Sequence, residues 1–290
     1  MISVSLGSSR GDYEFRDVIG GVPYRVRRLG TNGSWQAAAA LLQHFDGRAA
    51  ALGLGGVNRR FILGQRQYTI PQGELLSRIV RYSPLADGER WKMHLEPRRL
   101  QWLLEHRQLQ TGSVGVVSWL DRYPLVEFLE GRGFRVLSGD AFYALGWPRW
   151  MSGGCFRFWA ACLMPLLSKL PIQQLYPLGE QQDKRPRSTP GRTFRHIDLL
   201  VGDTHLMLRR LPARLRGIGV VATTLDQPQR KLLQAHGAAW VDSLNPMRNG
   251  RAFGANLWEA LALAVNGGQQ PETPVQWLEL ARKIGWSESS

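Results

Sequence analysis

Apolar and polar positions along the 290-residue chain follow two alternating rhythms. The first is a short, nearly continuous apolar run that halts at glycine or a small polar residue. "ISVSLG" (2–7) and "AAALGLGG" (49–56) show it early, and "SVGVVS" (113–118), "FRVLSGD" (134–140), "IDLLVGD" (197–203), "IGVVATT" (218–224) and "AAWVDSL" (238–244) show it later. Such runs predict strands buried on both faces. "PYRVRRLG" (23–30), with three arginines, reads as a further strand outside this rhythm. The second rhythm repeats apolar residues every three to four positions and predicts amphipathic helices. It runs through 34–45, with Ser34 as N-cap, and through 71–82, 96–108, 121–133 (capped by Asp121), 205–217, 227–237, 251–266 and 274–286. "RFILGQRQYTI" (60–70) reads as a hairpin turning at Gly64-Gln65.

Strands separated by helices imply right-handed crossovers and parallel sheets. The predicted fold class is therefore α/β, in two lobes of mainly parallel sheet: an N-terminal lobe over 1–110, a Rossmann-like second lobe over 111–268, and a helix over 269–290 packing back on the first. The polar, Pro- and Arg-rich stretch "GEQQDKRPRSTPGRTFRH" (179–196) reads as an exposed, disordered loop.

Composition narrows the classes. The net charge of +14 arises from 37 basic and 23 acidic residues, and all but five of the basic ones are arginine. Guanidinium forks suit phosphate and carboxylate. The basic residues nonetheless spread from Arg10 to Arg282 without a block or a nucleic-acid motif. That argues against a nucleic-acid partner beyond charge-driven, non-specific attraction and for a small anionic metabolite.

Cys155 and Cys162, seven residues apart, fit neither a metal site nor a disulfide scaffold and read as buried thiols. The apolar stretch over 155–179 is broken by Arg157, Pro165, Lys169 and Pro171, so it falls short of the roughly 20 apolar residues of a transmembrane helix and reads as a buried one. Peripheral membrane contact through Arg and Trp is the minor alternative. Without a signal peptide the expected location is cytoplasmic; the oligomeric state is not legible, and no metal is expected.

Two strands end in Gly-Asp, at Asp140 and Asp203, which places carboxylates where ligands meet α/β sheets. Asp140 lies 22 residues beyond Ser118, the address of a ribose-binding acid. The turn before it lacks G-x-G-x-x-G: it reads "VVSWLDRYPL", with Trp119 where a pyrophosphate needs close backbone approach and Asp121 competing for the same N–H groups. Helix capping is the alternative role for Asp140. Asp203 and His205 could orient a ligand or relay a proton, or serve as a cap with a half-buried histidine.

Ser8, Ser9 and Arg10 after the first strand form a candidate anion cradle, or a plain turn. Arg251 and Asn256, with Gly254, offer a second anion contact near a helix start. Gly53, Gly55 and Gly56 permit close ligand approach or close packing. "DGERWKMHLE" gathers Asp87, Lys92, His94 and Glu96 between helices. A lysine beside a carboxylate can exchange a proton with a hydroxyl, and a solvated helix start is the alternative.

Through "SLGSSRGD", "GLGGVN", "DGERWK", "SGDAFYALGWP", "LYPLGEQQ", "VGDTHLMLRRLPARLRG" and "GRAFGANLWEA" the chain resembles, almost end to end, a bacterial family called quinate 5-dehydrogenase, itself similar to shikimate and quinate dehydrogenases. The resemblance implies a substrate lobe, a nucleotide lobe, a returning C-terminal helix, NAD or NADP as cofactor and a hydroxylated carboxylate as substrate. It also implies a Lys-Asp proton-transfer pair, for which Lys92 is the lysine of the N-terminal lobe and Asp87 the partner; Asp140, Asp203 and His205 then face the cofactor. A second reading keeps the fold without redox chemistry, as a binding module for a phosphorylated or acyl metabolite.

Overall fold

The computed structural model describes residues 1–147, 149–168 and 189–289. Two sheets form its frame. The first contains β1 (Ile2–Ser5), β2 (Tyr13–Ile19), β3 (Val22–Gly30), β4 (Leu52–Gly55) and β7 (Leu85–Ala86) in the order β2-β3-β1-β4-β7, with a separate hairpin of β5 (Arg60–Leu63) and β6 (Arg66–Thr69). Only β2 runs antiparallel, joined to β3 through Gly20 and Gly21 at φ 59° and 82°. The second sheet contains β8 (Ser113–Val116), β9 (Arg135–Ser138), β10 (Met151–Ser152), β11 (Leu199–Gly202), β12 (Gly219–Ala222) and β14 (Trp240–Ser243), in the order β10-β9-β8-β11-β12-β14. It is parallel except for the β10 edge. Chain order reverses between β8 and β11, the switch point at which crevices open in such sheets. β1, β4, β11 and β12 are buried along their whole length, as parallel strands covered on both faces must be.

Helices α1 (Trp35–Phe45), α2 (Pro71–Ser77), α3 (Glu89–His94), α4 (Glu96–His106), α5 (Tyr123–Gly131), α6 (Gly153–Leu167), α7 (Thr204–Arg209), α8 (Gln227–Ala235), α9 (Ala255–Val265) and α10 (Pro274–Lys283) cover the sheets. Ser34 caps α1, its hydroxyl accepting from Ala37 N. One core runs from β1, β4 and α1 through α4 to β8, β9, α5 and α6, so the lobes share apolar packing. A second joins Ile19, Val26 and Trp91 to α9 and α10, and a third fills the far face of the second sheet. No helix among the described residues is long and apolar enough to cross a membrane.

Several expectations are corrected. Helix α9 packs on β4, β7 and α3 of the first lobe rather than on the second sheet, so the boundary drawn at Gly268 falls too late. It starts at Ala255, because Arg251 and Ala252 form β16, paired with β13 (Leu225–Asp226) and β15 (Met247–Arg248). The helix expected over 205–217 stops at Arg209, before Pro212, whose missing N–H cannot continue it. β2 comes from a segment to which the sequence pattern assigns no element, and α3 bears out the helix-start alternative for its segment, with Trp91 fully buried. Asp121 does not cap α5, which has no side-chain cap. Cys155 and Cys162 are exposed, because α6 buries the stripe Phe156, Ala160 and Met164 and turns Phe158 and Trp159 outward at 64% and 50% exposure. Residues 169–188, which hold the end of that apolar stretch and the first part of the loop read as disordered, lie outside the described residues. Further along the same loop, Gly191–Phe194 form a 3-10 turn with Phe194 buried.

Candidate functional site

The ends of β1 and β4 face those of β8, β11 and β12 across a cleft of about 450 Å³ between the lobes. Its floor is tied together by Asn245, fully buried, which accepts from Trp91 Nε1 (2.7 Å) and donates to the Thr223 carbonyl (3.3 Å). Trp91 N in turn donates to Glu259 Oε2 at 2.9 Å. Burial, with the charge of Asp87 nearby, pushes the Glu259 carboxyl up to about 8, and this outweighs the bond from Trp91.

On one wall Lys92 Nζ donates to Asp121 Oδ1 at 2.7 Å and to Asn58 Oδ1 at 2.9 Å, while Asn58 Nδ2 donates to the same Asp121 oxygen at 2.7 Å. Arg122 Nη1 meets Asp121 Oδ2 at 2.8 Å, and its Nε lies 3.4 Å from Glu96, a carboxylate with no exposure at all. Burial would raise the Asp121 carboxyl, but Arg122 and Lys92, with hydrogen bonds from Lys92 and Asn58, outweigh it and hold it well below the usual carboxylate range. Glu96 is pushed up by burial against the pull of Arg122 and Lys92. The pair expected between Lys92 and Asp87 does not form: the Asp87 carboxylate accepts from Glu89 N at 3.2 Å, fixing the turn into α3, and lines the cleft a little apart. An ammonium has three donors, so one N–H of Lys92, which is 14% exposed, has no partner among the described residues.

The rest of the lining carries further basic residues. Arg28 donates to the Ser8 carbonyl (3.0 Å), Asp12 (2.8 Å) and Ser5 Oγ (3.2 Å). Arg251 donates to the Gly11 carbonyl at 3.3 Å and lies 5.3 Å over the Tyr13 ring. Arg209 also lines the cleft, and its guanidinium makes no hydrogen bond or ion pair among the described residues. The acids here are engaged: Asp203 caps α7 by accepting from Leu206 N at 2.9 Å, and Asp226 forms a capping box with Gln229. Arg10, Arg28, Lys92, Arg122, Arg209 and Arg251 line the cavity against Asp87, Asp121, Asp203 and Asp226, so the surplus charge facing it is positive.

Of the residues singled out in the sequence, Ser8, Arg10, Asp87, Lys92, Asp203, His205, Arg251 and Asn256 line this cleft. Ser9 does not; Asn32 takes it, through Ser9 N (2.8 Å) and Ser9 Oγ (3.0 Å). Asn256 spends its amide on Ser3 Oγ (3.0 Å) and lies so near β4 that a Cβ at Gly53 or Gly55 would come within 3.3 or 3.2 Å of its Nδ2. Gly53 lies outside the lining and serves packing, while Gly55 and Gly56 do line the cleft. Asp140 is also absent from the cleft. Only 8% exposed, it accepts from Trp119 N (2.8 Å), Leu120 N (3.4 Å) and Ser138 Oγ (2.8 Å).

A nicotinamide dinucleotide would rest its pyrophosphate on the N–H groups after the first strand and its ribose on the acid ending the second. Here Asp140 takes those N–H groups itself, and the Trp119 ring, fully buried and stacked on Phe156 at 4.8 Å, fills the turn. The turn after β8 does not fit the group. Asn58, Arg122, Arg28 and Arg209 escape sequence reasoning because no local motif marks them, and Asp121 is visible only as a helix-start acid; their roles arise from approach across the lobes.

No curated protein matches the chain. A solved structure described as "Crystal structure of a putative malic enzyme (malate oxidoreductase)" aligns over 90% of this chain and 74% of its own, with 11% sequence identity and a TM-score of 0.36. Residues 1–87 match the family model described as Domain of unknown function (DUF8753). Residues 90–289 match a second, and by that match, which spans most of its length, the chain belongs to the family described as Domain of unknown function (DUF8754).

Proposed function

We propose that the cleft binds a small hydroxylated carboxylate, with Lys92, Asp121 and Asn58 holding a ligand hydroxyl and handling its proton and the guanidiniums elsewhere in the lining taking the carboxylate. The observation that carries this reading is the Lys92 ammonium, anchored by two bonds in a shielded ion pair with one N–H unspent. An ammonium held this way donates to a hydroxyl oxygen, and the ionised Asp121 behind it stabilises the charge. The partly unpaired basic lining supplies the complement for an anion.

The reading agrees with the substrate class and the Lys-Asp pair that the resemblance to quinate and shikimate dehydrogenases implies, with Asp121 in place of Asp87. It departs from that resemblance at the cofactor: because the turn after β8 is filled by Asp140 and Trp119, no hydride step is assigned. Calorimetric titration with quinate, shikimate and cyclohexanecarboxylate tests it. The hydroxylated acids are expected to bind saturably and cyclohexanecarboxylate at least tenfold more weakly, a gap of about 1.4 kcal/mol for one charge-assisted hydrogen bond. Lys92→Met is expected to abolish the difference. Equal binding of all three acids, or selectivity unchanged in Lys92→Met, would overturn the proposal.

A further inference from the structure

At the end of the second sheet opposite the cleft, the starts of β11, β12 and β14 open into another cavity, of about 680 Å³. Arg107, Arg192, Arg195, Arg214 and Arg216 surround it, and the one carboxylate in its lining, Asp198, accepts from Ser113 N at 2.7 Å. Arg107 reaches Asp242 at 3.4 Å. The other four guanidiniums form no hydrogen bond or ion pair among the described residues.

The backbone reinforces the pattern. Arg216 stands at φ 44°, a conformation that suits glycine and is costly for a residue with a side chain. Bonds from Leu215 N to the His236 carbonyl (2.6 Å) and from Gly217 N to the Gly237 carbonyl (3.1 Å) hold it there. Like charges gathered on a concave wall repel one another and concentrate positive potential in the cavity. An anion with several charged groups relieves both.

We propose that this cavity is a binding site for a chain of phosphates, either free polyphosphate or the triphosphate of a nucleotide. Guanidinium forks match phosphate oxygens two at a time, and four forks on one rim match successive phosphates better than a single carboxylate. The volume is that of a small-ligand site. The aromatic surface is already used: Arg107 lies 5.1 Å over one side of the Trp240 ring, and the ring packs so closely on Gly219 that a Cβ there would come within 2.5 Å. A single-stranded nucleic acid, which relies on stacking its bases on open rings, finds no such platform.

The test titrates the full chain with tripolyphosphate, ATP and a 20-nucleotide single-stranded RNA, using Arg214→Gln, Arg216→Gly and, as a control of equal charge change elsewhere, Arg81→Gln. One tripolyphosphate or ATP per chain is expected, weakened about tenfold by Arg214→Gln and by Arg216→Gly for each lost charged bond, and unchanged by Arg81→Gln or Lys92→Met. Because glycine suits φ 44°, Arg216→Gly is expected to melt no lower than the parent, separating lost binding from lost fold. Equal affinities assign free polyphosphate as the ligand, and tighter ATP assigns a nucleotide. RNA binding without tripolyphosphate binding, equal weakening by Arg81→Gln, or no saturable binding of either phosphate compound would overturn the proposal.

Discussion

Glu259 offers a quantitative check on how the cleft floor is built. It is 3% exposed, accepts one hydrogen bond from Trp91 N at 2.9 Å, and its carboxyl is raised from the ordinary 4.5 to about 8, first by burial and then by Asp87. A carboxyl raised on folding adds stability that is complete below the unfolded pKa and is lost as pH climbs through the folded one. The window here is therefore about pH 4.5 to 8. With roughly 1.4 kcal/mol at stake for each pH unit inside that window, the loss between pH 5 and pH 8 approaches about 3 kcal/mol. Glu259→Gln keeps an acceptor for Trp91 N and never ionises, so its stability is expected to fall less over the same range. Urea denaturation of both proteins at pH 5, 6, 7 and 8 reads the difference directly. The gap between the curves should widen towards alkaline pH in favour of the variant; parallel curves would show that Glu259 is not buried as a neutral acid beneath the cleft.

Other outcomes follow from the same geometry. Asp140→Ala strands Trp119 N, Leu120 N and the Ser138 hydroxyl and is expected to cost about 2 kcal/mol with quinate binding unaffected; at pH 5, below the value of about 6 to which burial raises this carboxyl, the cost is free of its own charge penalty, and intact stability with lost binding would return Asp140 to the ligand. Gly88→Ala places a Cβ 2.7 Å from the backbone of Asn256 at φ 86°, so it is expected to cost about 3 kcal/mol in denaturation, whereas Gly21→Ala, at φ 82° with open space around it, should cost about 1 kcal/mol. Both cysteines are exposed, so a thiol reagent should titrate two groups in the native protein; two groups reacting only after denaturation would contradict the orientation of α6.

The continuous apolar runs were enough to locate the buried parallel strands, because a strand covered on both faces leaves an unbroken signature. β2 escaped since its hairpin exposes Glu14, Arg16 and Val18 while half-covering Tyr13 and Phe15, a weaker pattern. α3 was legible only as a helix start, because one buried tryptophan among charged neighbours carries no period. Lys92 was visible as a rare lysine, but its partners Asn58 and Asp121 stand 63 residues apart from each other, and only the packing of one lobe on the other brings them together. Asp140 shows the limit of reading by address: its distance from the first strand is that of a ribose-binding acid, yet its carboxylate turns back into the sheet edge, which no spacing rule encodes.

The central claim is most directly tested by a crystal structure of the protein soaked with quinate. The account predicts ligand density between the lobes, with a hydroxyl within about 3 Å of Lys92 Nζ and the carboxylate against Arg251 or Arg209. Density elsewhere, or a pose with the carboxylate on Lys92 and no hydroxyl near Asp121 or Asn58, would contradict it.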